Sequence, residues 1–455
     1  MSTSESTLRT EWFLLITVAL GGTLAPLNST MIAMALPTVM IDFDVDLGLG
    51  GWLVTGYLIV MASVQPIAGK LGDLFGRRRL ILGGLIYFGL VSLGASLAFN
   101  FWMLLFFRIQ QGVAAAITLP NGTALLREVI PEARRAGRFG LVGMTLSMGA
   151  AVGLPLGGFL VEYVGWNSIF YFNLFLIAPA LILGWRVLPR GDQGRKEEDF
   201  DLKGAVMLCV GLVGGVFWMI QAREPGFVFL WCVVGVGLLV LFAIFLRHEL
   251  QHSGPVVQVR FFKRRSFVAA ASAISLSNLT MYTTMLAIPM LATGWGLAID
   301  RTGLVMMSMM ATMVVFAPIG GRLADRFGRR WPPVCGALVL VLGVVFLGVN
   351  LASGEVSQGL LAVGLGIIGL GTGLAGTGLQ TAAVESVGSR DAGVAAGLYS
   401  TSRYLGSILG STLLAGLLGS GGEGGETVFW IVFCAGMGAL FVSFFLEDRP
   451  GEKVL

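Results

Sequence analysis

The sequence predicts an all-α integral membrane protein of fourteen transmembrane helices: two pseudo-symmetric six-helix bundles with two further helices inserted between them. Three observations predict it. Only 12% of the 455 residues are charged and 55% are hydrophobic, with a mean hydropathy of +0.83, whereas a soluble domain carries roughly 25% charged residues. The stretches 12–41, 266–299 and 331–354 contain no Asp, Glu, Lys or Arg, and each exceeds the ~20 apolar residues that cross a bilayer core. One ten-residue loop occurs twice, at equivalent places in the two halves of the chain.

The elements follow in chain order. The first span begins near Trp12; it is too long for the core of a cleavable leader and no small-residue cleavage pattern follows it, so it is expected to stay as helix one. The second starts near Gly51 and ends at the basic loop 69–78, and the third follows from Leu80. The fourth starts near Trp102 and ends before Arg127; the fifth, glycine-rich, starts near Phe139; the sixth runs from Asn167 to the arginines at 186 and 190. The seventh and eighth, from Gly204 and Phe227, lie between charged connectors at 190–203 and 251–265. The ninth and tenth start near Phe267 and Thr302, and the tenth ends at the second basic loop, 321–330. The last four start near Pro332, Gln358, Ala392 and Val428. None shows the polar alternation of a barrel strand, and in lipid a helix satisfies all of its backbone groups internally.

Charge tests the count. With a cytoplasmic N-terminus, two of the 30 Lys and Arg residues (Arg223, Arg301) fall outside and two (Arg108, Arg403) fall within spans, leaving 26 inside. A miscounted helix would scramble that pattern, so the positive-inside rule predicts an inner or plasma membrane protein with both termini cytoplasmic. The net charge of +4 then sits beside an anionic leaflet. No nucleic-acid partner is expected, because the basic clusters are short loops without aromatic residues arranged for base stacking. The four cysteines lie inside spans at unrelated spacings, which suits buried apolar residues better than disulfides. His248 and His252 are placed in the connector after the eighth span, and no metal site is expected.

The repeated loop reads Gly69-Lys70-Leu71-Gly72-Asp73-Leu74-Phe75-Gly76-Arg77-Arg78 and Gly321-Arg322-Leu323-Ala324-Asp325-Arg326-Phe327-Gly328-Arg329-Arg330, with seven of ten positions identical. Such identity marks a duplication: bundles at 1–190 and 261–455, with an inserted pair and its connectors at 191–260. Parallel repeats of this kind imply a pseudo-twofold axis along the membrane normal and a pathway at their interface. The loop resembles the signature of the major facilitator superfamily, and six plus two plus six spans is similar to its fourteen-helix drug:proton antiporter branch. Trp52, Thr55, Tyr57, Pro66 and Leu36-Pro37 also match that branch. The resemblance implies alternating-access transport, multidrug-type efflux by antiport, with no chemistry performed on the solute and no cofactor beyond an ion gradient, expected to be protons. The partners implied are a small-molecule substrate and the bilayer, and the protein is expected to act as a monomer.

Individual residues sharpen this. The resemblance makes the two loops conformational latches, with Asp73 and Asp325 as central acceptors among Gly69, Gly76, Arg77, Gly321, Gly328 and Arg329; topogenic charge on a tight turn is the plainer alternative. Arg108 stands in Arg108-Ile109-Gln110-Gln111-Gly112, similar to the family's R-x-x-Q-G motif, and Arg403 falls near the middle of the thirteenth span. A charge at such depth faces protein or water. Both are pathway candidates, together with Asn28, Tyr57, Gln65, Gln111, Asn121, Asn278, Tyr282 and Tyr399, whose polar groups need partners in a bilayer. Gly149, Gly153, Pro155 and Gly157 resemble the antiporter signature of helix five; close helix packing explains the glycines equally. The glycines of the twelfth span read as a bending gate or as tight packing, and the methionines at 306–313 as a pliable wall or as core. Asn28 stands where the branch usually has Asp, and Asn cannot carry a proton. Coupling then falls to a terminal acid such as Glu162 or Glu385, to another ion, or is lost. An interior with arginines but no acids equally favours an anionic or zwitterionic metabolite or lipid.

Overall fold

The computed structural model describes residues 2–130, 132–189, 201–221, 228–252, 254–352, 357–387, 392–418 and 424–447. Among these residues all regular structure is helical, with fourteen long α-helices, one four-residue α-helix and a 3-10 helix at Val259–Lys263. They are α1 (Ser2–Asp42), the short α2 (Leu47–Gly50), α3 (Trp52–Phe75), α4 (Arg77–Ser96), α5 (Phe101–Val129), α6 (Glu132–Tyr163), α7 (Ser168–Val187), α8 (Leu202–Gln221) and α9 (Val228–Gln251). Then come α10 (Arg265–Gly294), α11 (Ile299–Phe327), α12 (Trp331–Ala352), α13 (Gln358–Glu385), α14 (Ala392–Leu418) and α15 (Gly424–Ser443). All but α14 of the long helices contain a window long and apolar enough to cross a membrane. The polar run Tyr399-Ser400-Thr401-Ser402-Arg403-Tyr404 interrupts the apolar character of α14.

Most helices begin within a few residues of the expected spans. The larger differences are at α1 and α6, whose helices continue well before the apolar runs that mark their membrane segments. A third difference concerns the histidines. His248 lies in the last turn of α9, not in a connector, because the apolar run feeds a helix that continues to Gln251.

The chain divides into two compact units, one of Met1–Val45 with Trp52–Phe200 and the other of Asp46–Gly51 with Asp201–Leu455. In the first unit α1 packs on α5, α6 and α7, α3 on α5, and α4 on α5 and α7. In the second, α10 packs on α13, α14 and α15, α11 on α13, and α12 on α13 and α15. The two pairing schemes are the same, which is the packing consequence of the repeated sequence. Helices α8 and α9 pack on each other within the second unit, and α8 also meets α14.

Side chains on the outer faces are large and apolar, as a lipid solvent allows: Phe229 is 84% exposed, and Leu239 and Phe242 of α9 are exposed with it. Inside, small residues set helix spacing. A Cβ on Gly153 of α6 would lie 2.0 Å from Thr30 Oγ1 and 2.9 Å from the Leu27 carbonyl oxygen of α1. One on Gly157 would lie 2.9 Å from Met31 Cα. Gly406 of α14 meets Ser275 of α10 in the same manner, with 1.9 Å from its would-be Cβ to the carbonyl oxygen. In both units, therefore, this helix pair approaches backbone to backbone, the small-residue packing that membrane helices use in place of a hydrophobic drive.

Candidate functional site

The most buried charge of the first unit organises its polar core. Arg108 of α5 is fully buried. Its Nε donates to the Leu53 carbonyl oxygen (3.2 Å), and one terminal nitrogen donates to Asn28 Oδ1 and to Gln111 Oε1 (3.0 Å). The guanidinium also stacks on Tyr57, 4.5 Å from the ring centroid, a cation–π contact that strengthens when desolvated. Gln111 passes the network on by donating to Ser92 Oγ (2.8 Å), which also accepts from Asn173 Nδ2 (3.3 Å). Tyr57 in turn donates to the Ala25 carbonyl oxygen (3.4 Å). One arginine thus draws together α1, α3, α4, α5 and α7.

Asn28, Tyr57 and Gln111, named from sequence, are brought together here. Asn173 and Ser92 were missed, although a lone amide in the apolar run of α7 is itself a signal, since it needs a partner in lipid. Glu11, buried in α1, was also missed, because it precedes the charge-free stretch by one residue. Asn121 is separate: its Nδ2 donates to the carbonyl oxygens of Ala68 (2.9 Å) and Ile117 (2.8 Å). Its oxygen sits against Gly72, where a Cβ would lie 1.7 Å away. Gly72 is therefore the residue of the repeated segment whose missing side chain lets α5 touch α3. Gln65 is partly buried on α3.

In the second unit the candidates do not converge. Asn278 turns back on its own helix, donating to the Ile274 carbonyl oxygen (3.1 Å), and Tyr399 donates to that of Gly376 (3.2 Å). Arg403 is exposed, lying 5.3 Å from the Tyr404 ring centroid, and Tyr282 is half-buried. Met306, Met309 and Met310 are core residues and Met307 is partly exposed. The α13 glycines are packing surface: would-be Cβ atoms on Gly369 and Gly373 fall 1.9 and 2.6 Å from the α11 carbonyl oxygens of Met309 and Met313.

The repeated loops fold alike. Gly76 and Gly328 have φ of 90° and 91°, a region that glycine alone enters without strain. Each is followed by an arginine that reaches a glutamate at the end of another helix. Arg77 meets Glu128 of α5 (3.3 Å), and Arg329 binds Glu385 of α13 through Nε (2.9 Å) and a terminal nitrogen (2.8 Å), as well as Asp325 (2.6 Å). The Glu385 hydrogen bonds, outweighing partial burial, raise the Arg329 pKa above the ordinary guanidinium value. Gly321 of α11 packs against Thr377. Gly69 and Asp73 lie in α3, and the surroundings of both are outside what is described. Glu162 is exposed at the last turn of α6. Pro155 stands inside α6 between the seam glycines.

A family model described as Major Facilitator Superfamily matches residues 18–275 and 268–455. The chain belongs to this superfamily. It is 32% identical over 451 residues to the "Uncharacterized MFS-type transporter YvkA" of Bacillus subtilis (strain 168), covering 98% of each chain. It is 31% identical to the "Multidrug resistance protein Stp" of Mycobacterium tuberculosis (strain ATCC 25618 / H37Rv), over 90% of this chain and 76% of that one. Among solved structures it superposes on the inward open conformation of the xylose transporter XylE from E. coli with a TM-score of 0.68 and 14% identity, covering 97% and 98% of the two chains. That last likeness is one of fold. As a member of the superfamily the chain is a multi-pass membrane transporter.

Proposed function

We propose that this transporter exports amphipathic small molecules by alternating access, as a monomer exchanging substrate for protons, in the manner of the fourteen-helix drug:proton antiporters. The observation that carries the substrate class is the 31% identity, over 90% of this chain, to a relative named as a multidrug resistance protein. In this reading the two six-helix bundles take turns opening a shared central site, and α8 and α9 are an accessory pair. Arg108 fixes the charge of the first bundle's polar core and positions what binds there.

A second reading is favoured by one contact. The side chain facing Arg108 from α1 is the neutral amide of Asn28 where the branch usually has an acid, and a guanidinium in the polar core suits an anionic or zwitterionic solute. Purified protein in liposomes, given an imposed pH gradient, separates the two. Export is supported if a lipophilic cation moves against the proton flow, a protonophore stops it, and Arg108→Ala abolishes it. Gradient-insensitive movement of an organic anion alone would overturn proton-linked export and establish the second reading.

A further inference from the structure

The inserted helix pair carries a cluster that the transport reading leaves unused. Asp201 immediately precedes α8, and α9 ends His248-Glu249-Leu250-Gln251 with His252 directly after it, its N–H still bonded to the His248 carbonyl oxygen. Two histidines four apart stand on one face of a helix, the spacing with which His-Glu-x-x-His segments hold zinc. Here the rings are 5.3 Å apart between centroids. One ligand atom from each of Asp201, His248 and His252 lies within 4.8 Å of the others.

The carboxylates supply a second, independent observation. Asp201 and Glu249 are each only 3% exposed. Asp201 Oδ1 accepts from the Gly204 N–H (2.7 Å) and faces His248 Nε2 (2.6 Å), while Glu249 Oε2 accepts from the Val257 N–H (2.8 Å). The other oxygen of each, Asp201 Oδ2 and Glu249 Oε1, is buried with no hydrogen-bond partner. Both converge on Gly204, where a Cβ would lie 2.3 and 2.4 Å from them. Two buried carboxylate oxygens brought together without a donor call for a cation between or beside them.

We propose that Asp201, His248 and His252, with Glu249 alongside, form a binding site for a divalent transition-metal ion of the Zn2+ class. Imidazole nitrogens select such ions over Mg2+ and Ca2+, which prefer all-oxygen shells. Ligand atoms around zinc lie at ~2.0–2.2 Å from the metal, so the hydrogen-bonded contact between His248 and Asp201 must open slightly as the ion replaces the shared proton. His252 Nδ1 accepts from the Gly254 N–H (3.1 Å); a ligating imidazole donates, not accepts, with its other ring nitrogen, so this contact must be released when His252 binds the ion. Glu249 is buried and spends one oxygen on Val257, so its part is to balance charge and hold the segment after α9. The ion would clip the start of α8 to the end of α9, opposite the Trp218 Nε1 to Trp231 carbonyl bond (2.7 Å) that joins their other ends.

The test uses the full-length protein in detergent, purified without a polyhistidine tag and stripped with a chelator. Co2+ is titrated and its visible d–d absorption followed, and bound Zn2+ is counted per chain. The wild type should take up one ion with a tetrahedral-type spectrum, and Zn2+ should raise its Tm. His252→Gln, whose half-buried ring lies outside the Asp201 hydrogen bond, should bind on the order of a hundred-fold more weakly or worse and lose the Tm rise while eluting as a monodisperse species. His248→Gln should behave likewise; if it misfolds, His252→Gln alone decides. Equal Co2+ uptake by wild type and His252→Gln, no stoichiometric uptake by either, or binding confined to Mg2+ would overturn the site.

Discussion

Arg108 shows how a single charge is made tolerable inside a membrane bundle. Its cost in an apolar surround is several kcal/mol, and it is offset by a carbonyl, two side-chain amides and the face of Tyr57. A hydrogen bond to a charged group contributes about 1.5–3 kcal/mol net. Asn28→Ala should therefore lower stability by about that amount, read as a drop in Tm in detergent, with insertion unchanged. Asn28→Asp is the more informative change. It keeps the acceptor oxygen, adds a buried carboxylate beside a buried guanidinium, and installs the titratable group that an amide cannot supply. Transport by Asn28→Asp should depend more steeply on an imposed pH gradient than transport by the wild type. An unchanged gradient dependence would show that this position takes no part in coupling. Arg108→Lys should not rescue function, because an ammonium cannot present the planar fork that three acceptors on different helices require.

Between helices the controlling quantity is backbone distance. Along the α6 seam, side chains are excluded by α1 itself: the would-be Cβ at Gly153 meets both Thr30 Oγ1 and the Leu27 carbonyl oxygen, and the Thr30 hydroxyl is already held by the Pro26 and Leu27 carbonyls. Gly153→Ala should therefore push the helices apart and cost about 1–3 kcal/mol as overpacking. Gly83→Ala on α4, where a Cβ meets nothing within 4 Å, should be neutral or stabilising by up to ~1 kcal/mol through helix propensity. Comparing the two Tm shifts checks the idea, and equal shifts would sink it. The seam also marks what was legible in the sequence. Helix number, order and the duplication could be read because charge and turn residues punctuate long apolar runs and because two loops repeat. Arg108 could be singled out because one charge in such a run is conspicuous. Its partners from α4 and α7 could not, since Ser92 and Asn173 are joined to Gln111 only by tertiary packing. The α13 glycines read equally as gate or packing until the carbonyls of Met309 and Met313 were seen against them. From sequence the paired histidines fall in a connector with no metal site expected, and Asp201, the third proposed ligand, lies a whole helical hairpin away in the sequence.

At the scale of the whole molecule, the duplicated loop is a duplicated geometry. In each unit a glycine at φ near 90° turns the chain, and the next arginine ties that turn to the helix on which both flanking helices pack: α5 through Glu128 and α13 through Glu385. These carboxylates are about half exposed, where single ion pairs contribute roughly 0–1 kcal/mol to stability. The latch reading implied by the family resemblance predicts that they hold the turn against that helix in one conformation and release it in another. Because the two ties share no residues, their effects should combine additively in free energy. Glu128→Gln and Glu385→Gln should each leave membrane insertion intact and Tm within a few degrees of the wild type, and each should lower substrate turnover in proteoliposomes several-fold. The double variant should lose the product of the two factors. Glu385→Gln should have the larger effect, since it breaks a two-bond, charge-paired contact with Arg329 and leaves one neutral acceptor, where Glu128→Gln weakens a single longer contact. Turnover at the wild-type level in the double variant would reduce both loops to turns with topogenic charge, and a large Tm loss in either single variant would make the pairs structural rather than conformational.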